Sequence, residues 1–258
     1  MKLTPLDLFS GQYKETEKTI RENLKSVFSH LGIANGTSGE IINKIFEVCA
    51  SNRNMSEVES DLRKLIKLHK LGEKVNEKLE VRSSQVYNQI KNYVKGKFVL
   101  DLGCGNGKVG EALNKDGFKV RLMDSVDYNK SSLPLELYNG DKIPAQTSSI
   151  DTTLLLMVLH HCDNPISVLE EAVRVTSKRL IVIESIFISE EERRFNIFMD
   201  WFYNRIFSYE NVNVPLNFRT PSEWEKLFLK YFKSVKSIDL GIDLPICPEH
   251  HWLFILDK

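Results

Sequence analysis

Phe98-Val-Leu-Asp-Leu-Gly-Cys-Gly-Asn-Gly-Lys-Val-Gly110 is the stretch that decides the fold. Its first five residues read as a buried strand, and Val109–Asn114 behind it reads as a helix. Between them Gly103, Gly105 and Gly107 let the backbone turn sharply and approach a ligand without Cβ clashes. The helix start behind such a loop presents free N–H groups. A nucleotide-like ligand is the expectation.

Working outward, short apolar runs alternate with helical patterns. Strands are expected at Phe98–Leu102, Lys119–Asp124, Leu135–Tyr138, Thr152–Val158 and Leu180–Glu184, with a helix at Pro165–Val175. Strands alternating with helices imply βαβ units and a parallel sheet covered on both faces. Two last strands, Phe232–Leu240 and Trp252–Leu256, are joined by a medium-length loop and read as an antiparallel pair. Before residue 97 the texture is helical. Thr4-Pro5-Leu6-Asp7 offers a cap with proline at the first helical position. Stripes follow at Ile20, Leu24, Val27, Phe28 and Leu31, at Ile41, Ile42, Ile45, Phe46 and Cys49, and at Leu62, Leu65 and Ile66. Thr37 with Glu40, and Ser56 with Glu59, read as capping boxes opening the second and third of these helices. A further helix is expected from about Asn76 to Val94. Residues 1–75 thus read as a helical extension and 76–258 as the main domain. Ser189 and Glu192 cap an aromatic helix from Glu190 to about Phe207, inside an insertion at about 189–218. Thr220 and Glu223 cap another that ends at Tyr231.

Composition narrows the class. The 258 residues carry 35 Lys+Arg against 35 Asp+Glu, so the chain lacks the positive field that drives phosphate binding. At 42% hydrophobic it is not a disordered chain. Its longest unbroken apolar run, Leu154–Leu159, is too short to cross a bilayer. Residues 1–18 lack the apolar core of a secretory signal. Cys49, Cys104, Cys162 and Cys247 show no paired spacing, so neither a disulfide framework nor a metal site is expected. A soluble cytoplasmic protein is the expectation.

Gly105-Asn-Gly-Lys-Val-Gly110 also matches the GxGxxG dinucleotide pattern, but Asp101 argues against a diphosphate. A carboxylate at the end of the first strand would repel one. It suits a ligand with an amino group and a sulfonium cation, which S-adenosylmethionine (SAM) has. The stretch VLDLGCGNG resembles the first motif of the class I SAM-dependent methyltransferases. Asp124 at the end of the second strand, Asn139-Gly-Asp-Lys-Ile-Pro144, Ile150-Asp-Thr-Thr-Leu-Leu-Leu-Met-Val-Leu-His-His161, and Val168–Val175 with Glu171 and Arg174 follow in that family's order. The overall flavour is that of the small-molecule, quinone-biosynthesis-like branch. Two departures stand out. Thr152 and Thr153 are unusually polar, and Thr176-Ser-Lys-Arg179 replaces a glycine turn before the fifth strand.

The resemblance implies a Rossmann-like, doubly wound, mostly parallel seven-stranded sheet with an antiparallel last strand. It implies SAM as cofactor, held by Asp101, Gly103, Cys104, Gly105, Asp124, Ser125, Asp141, Lys142 and Leu156, with Arg82 for the methionine carboxylate. Asp124 would take the ribose hydroxyls and Asp141 the adenine amino group. It places His160, Cys162, Glu184, Cys247, His250 and His251 near one mouth. His160 and His250 are the candidate bases. Trp201, Tyr203, Asp200 and His251 are candidates for the acceptor. Phe195, Phe198, Met199, Phe202, Ile206 and Tyr209 read first as core. Trp201, Tyr203 and Phe207 are left for another surface, where they would line an acceptor pocket or offer a homodimer contact. The acceptor is expected to be a small molecule, not nucleic acid. Two alternatives stay open: a SAM-binding regulatory protein without turnover, and a nicotinamide oxidoreductase.

Overall fold

In a computed structural model that describes residues 3–208, 213–244 and 247–258, Phe98-Val-Leu-Asp-Leu forms strand β1 (Phe98–Leu102). β2 (Lys119–Asp124), β3 (Leu135–Leu137), β4 (Ile150–Leu156), β5 (Thr176–Ile186), β6 (Val235–Leu244) and β7 (Cys247–Asp257) complete a sheet of order β3-β2-β1-β4-β5-β7-β6. β1 lies parallel between β2 and β4, and β5 continues in parallel beside β4. β7 runs antiparallel to β5, from Arg179 opposite Asp257 to Ile186 opposite His250. The doubly wound sheet with an antiparallel last strand is therefore present.

The chain divides into two compact units. One comprises Met1–Leu79, Phe187–Leu216 and Ile242–Glu249, and the other Glu80–Ile186, Asn217–Gly241 and His250–Lys258. The boundary at Leu79 falls within helix α4 (Leu71–Ile90), whose predecessors are α1 (Lys14–His30), α2 (Asn35–Cys49) and α3 (Met55–Leu68). α5 (Lys108–Lys115), α6 (Pro165–Val175), α7 (Glu190–Trp201) and α8 (Pro221–Phe228) follow.

Alternation along the strands sorts the sheet unit into two cores. Leu100, Leu155, Leu180, Val182 and Phe254 pack with Leu169 and Ala172 of α6 and with Trp224 and Phe228 of α8. Val99, Leu154, Ile181, Ile183 and Leu253 pack with Val86 and Ile90 of α4 and Leu113 of α5. Thr152 and Thr153 are fully buried, and their polarity is used. Thr152 Oγ1 bonds the backbone of Lys95 in both senses, at 2.7 and 2.9 Å. The Thr176 hydroxyl lies 2.7 Å from Thr153 Oγ1 and 2.6 Å from Ala172 O. No loop precedes β5, because α6 ends at Val175 and Thr176 already pairs with Ile150.

In the helical unit the expected stripes are buried, with Ile20, Leu24, Val27, Phe28, Ile41, Ile42 and Ile45 at 1% exposure or less. Two caps differ from expectation. α2 starts two residues before Thr37, with Ala34 at its N-cap, and α3 is capped by the Asn54 side chain on Glu57 N. Glu59 is thereby freed from capping and turns inward. Its Oε1 accepts from Trp201 Nε1 at 3.0 Å and Arg205 Nε at 3.2 Å, while Oε2 accepts from Arg63 at 2.8 Å and Arg205 Nη2 at 3.1 Å. Ser189 and Thr220 cap α7 and α8 as expected. The aromatic helix continues past Trp201 as a π-helix, Phe202–Ser208. Tyr209 and the Cys247 side chain lie outside the described residues.

Candidate functional site

The loop after β1 is built from left-handed glycines. Gly103, Gly105 and Gly107 have φ of +74°, +53° and +71°. Two are hemmed in: a Cβ on Gly103 would stand 2.5 Å from Val158, and one on Gly107 would stand 2.6 Å from Asn129 Oδ1. A Cβ on Gly105 would meet nothing within 4 Å, so this glycine faces open space. Gly103 N and Cys104 N both donate to Met123 O, which fixes the loop to β2.

Asp101 lies beneath the loop, 1% exposed, and neither carboxyl oxygen has a hydrogen-bond partner of ordinary geometry among the described residues. Burial, then the nearby Asp124 carboxylate, push its pKa up to about 7, against a pull from the Gly110 N–H. Asp124 stands at the rim. Its Oδ2 accepts from Gly105 N at 2.8 Å and its Oδ1 from Ser125 N at 2.7 Å. Oδ1 also accepts from Val126 N at 3.4 Å, whereas Oδ2 retains a lone pair for a ligand hydroxyl. The Cys104 thiol is pushed up by burial and by these two acids, and Cys162 is pushed up to about 12, first by burial and then by Glu184. Neither cysteine is a ready nucleophile.

Asp141 and Lys142 are exposed on the loop after β3, where Asn139 Nδ2 donates to Asp141 Oδ2 at 2.9 Å. That loop is clasped from behind. Glu171 Oε2 accepts from Ile143 N at 2.9 Å, and Arg174 donates to Ile143 O and Ala145 O, both at 2.9 Å. Leu156 closes β4, and Met157 follows it in a left-handed conformation at φ +58°, an uncommon state for a residue with a side chain.

His160 and Glu184 form a closed pair at the ends of β4 and β5. His160 Nδ1 donates to Glu184 Oε2 at 2.6 Å, while Glu184 Oε1 accepts from Leu159 N at 2.8 Å and Val158 N at 3.2 Å. The His160 ring stacks on Phe218 at 5.3 Å and lies 4.2 Å from the ring of His161. The paired histidines on β7 diverge, as side chains on a strand must. His251 is 1% exposed, with Nε2 3.0 Å from Arg82 Nη2 and 3.2 Å from Ser185 Oγ. His250 bonds Asp239 Oδ1 of β6 at 2.6 Å. Arg82 is thus turned to His251, and its neighbour Ser83 bonds Asn106 of the glycine loop. Trp201, Tyr203 and Asp200 belong to the helical unit, at 3%, 8% and 5% exposure. Trp201 gives its N–H to Glu59 and Asp200 accepts from Asn204 at 2.8 Å. Trp201, Tyr203 and Phe207 are all buried.

Residues 100–182, from β1 into β5, match the family model described as a methyltransferase domain. The fold resembles that of solved methyltransferase structures. A SAM-dependent methyltransferase of Thermotoga maritima aligns with a TM-score of 0.53 and 18% identity, over 74% of this chain and 99% of that one. A structure from the complex between the Haloferax volcanii Trm112 methyltransferase activator and its methyltransferase aligns at 0.51 with 15% identity, over 70% and 92%. The protein MJ1252 of Methanocaldococcus jannaschii is 32% identical over 101 residues, 38% of each chain. The chain therefore spans well under half the length of that relative.

Three features of this region are not legible in the sequence alone. The Glu171–Arg174 clasp was seen only as a motif. The Met157 backbone carries no sequence signal. Arg219 forms an isolated bridge with Ile186 at the end of β5, and nothing in the sequence marks it.

Proposed function

We propose that this chain transfers a methyl group from SAM to a small-molecule acceptor and releases S-adenosylhomocysteine. The observation that carries the reading is Asp101, a buried carboxyl with two unpartnered oxygens under a glycine loop. A cationic ligand would satisfy it and a diphosphate would not. Gly105 adds room for a ligand, and Asp124 Oδ2 adds a rim acceptor with a lone pair to spare. The residues present therefore fit SAM.

When bound, SAM supplies a methyl group already activated by its sulfonium. The chain's own task is alignment and exclusion of water. Asp101 balances positive charge, and Gly103, Cys104 and Gly105 offer backbone. With SAM bound, Asp124 and Ser125 would hold the ribose, Asp141 and Lys142 would border the base with Leu156 beside it, and Arg82 would hold the carboxylate once turned from His251. His160, oriented by Glu184, is the group suited to take a proton from an acceptor. The even charge balance favours a small acceptor over nucleic acid.

Asp124→Ala tests the placement. SAM affinity should fall by about tenfold or more, the scale of a lost charge-assisted hydrogen bond. Circular dichroism should show a folded chain. Unchanged SAM affinity would mean that the ribose lies elsewhere.

A further inference from the structure

We propose that the α8 face of the sheet, at the carboxyl end of β5, carries a carboxylate-binding subsite built from Arg219, Trp224 and Trp252. It rests on the methyl-transfer reading and deepens it by naming an acceptor class, an aromatic monocarboxylate. Arg219 bridges to Ile186, and Trp252 pairs with Glu184 across the β5–β7 ladder. Glu184 and Ile186 are two residues apart on one strand and therefore share a face. The Arg219 guanidinium lies over the Trp224 ring at 5.4 Å. Trp224 stacks on Phe228 at 5.6 Å, Phe228 meets Phe254 at 5.2 Å, and Phe254 meets Trp252 at 6.2 Å, so the three residues belong to one aromatic patch.

All three are donors with nothing to donate to. Arg219 Nε, Trp224 Nε1 and Trp252 Nε1 are buried and have no acceptor among the described residues, and the Arg219 side chain makes no ion pair there. Indole and guanidinium N–H groups cannot accept, so they cannot satisfy one another. Buried donors are ordinarily paired, and Arg219 and Trp252 lie at the carboxyl end of β5, where ligands of such folds bind, with Trp224 beneath the Arg219 guanidinium. The missing partner is an oxygen acceptor. Arg219 supplies one positive charge. Glu184 lies next along the same face with its oxygens already taken by Val158 N, Leu159 N and His160. Its negative charge disfavours a phosphate dianion and leaves room for a single carboxylate. The Phe218 ring beside His160 makes the adjoining wall aromatic.

The test is calorimetric titration of the full chain with benzoate and with its neutral isostere benzamide. Benzoate should bind about tenfold or more tightly, the scale of a buried charge-assisted hydrogen bond. Arg219→Gln should erase that preference, Arg219→Lys should keep part of it, and Trp252→Phe should weaken benzoate several-fold. Equal affinities, no saturable benzoate binding, or a preference that survives in R219Q would overturn the proposal. SAM is titrated into the same samples. SAM binding without a benzoate preference overturns the subsite alone, whereas failure of SAM to bind overturns the reading beneath it.

Discussion

His160 Nδ1 donates to Glu184 Oε2 across 2.6 Å, and at 2% and 0% side-chain exposure neither group has water to fall back on. The carboxylate also receives Val158 N and Leu159 N, so it ties the turn after β4 to the end of β5. Glu184→Ala strands three buried donors at once. It should cost about 3 to 5 kcal/mol of unfolding free energy in urea denaturation, the scale for breaking a buried charged network. Glu184→Gln should cost less, and nitrogen-15 spectra should show the His160 proton on Nδ1 in the wild type and redistributed in E184Q. A wild-type proton on Nε2 would contradict the pairing.

The glycines make separable predictions. Gly107→Ala adds left-handed strain and drives a Cβ within 2.8 Å of both Asn129 and Leu122, so it should lower the melting temperature clearly. Gly105→Ala has only the strain to bear, about 1 kcal/mol. Its Cβ would enter the open space that Gly105 faces, so SAM affinity should fall far more than stability does. Thermal melts and SAM titrations of the two variants check the contrast.

Asp101 gives the site a pH signature. Its pKa rises from the ordinary 3.8 to about 7 in the folded chain. Between those values the unfolded chain has released the proton that the folded chain keeps. Stability therefore falls as pH climbs from about 4 to about 7 and levels off above. A cationic ligand prefers the ionised acid, so SAM affinity should rise over the upper part of that range and then plateau. Asp101→Asn should flatten both profiles. A wild-type affinity independent of pH from 6 to about 8 would contradict the role given to this acid.

Glu59 anchors the helical unit through Trp201, Arg63 and Arg205. Burial alone would push its pKa up, but the hydrogen bonds from Arg205 and Trp201 bring it below the ordinary carboxylate value. Glu59→Ala leaves two arginines and an indole without their acceptor and should cost about 3 kcal/mol in urea denaturation. Ser56→Ala, by contrast, should be nearly silent, because Asn54 is the cap.

Much of this was legible in the sequence because it is local. The glycine loop, the strands and the apolar stripes are set by neighbours a few residues apart, and Ser189 and Thr220 cap where their spacing says. The misses have two sources. Cap choice near α2 and α3 depended on which residue left the extended backbone first, and Asn54 won over Ser56. The rest depended on distant partners. Glu59 reads as a capping acid until Trp201 and Arg205 close on it. Thr176 reads as loop until Thr153 and Ile150 take it into β5. Arg82 and His251, far apart in the chain, meet only through the antiparallel register of β7 on β5.

On the proposed reading, the buried acid under the glycine loop suits a cation and not a diphosphate. Parallel calorimetric titrations of the full chain with SAM and with NADH decide between the two. Saturable, roughly one-to-one binding of SAM that Asp101→Asn weakens, with no heat from NADH, is the expected result. Binding of NADH with none of SAM would contradict it.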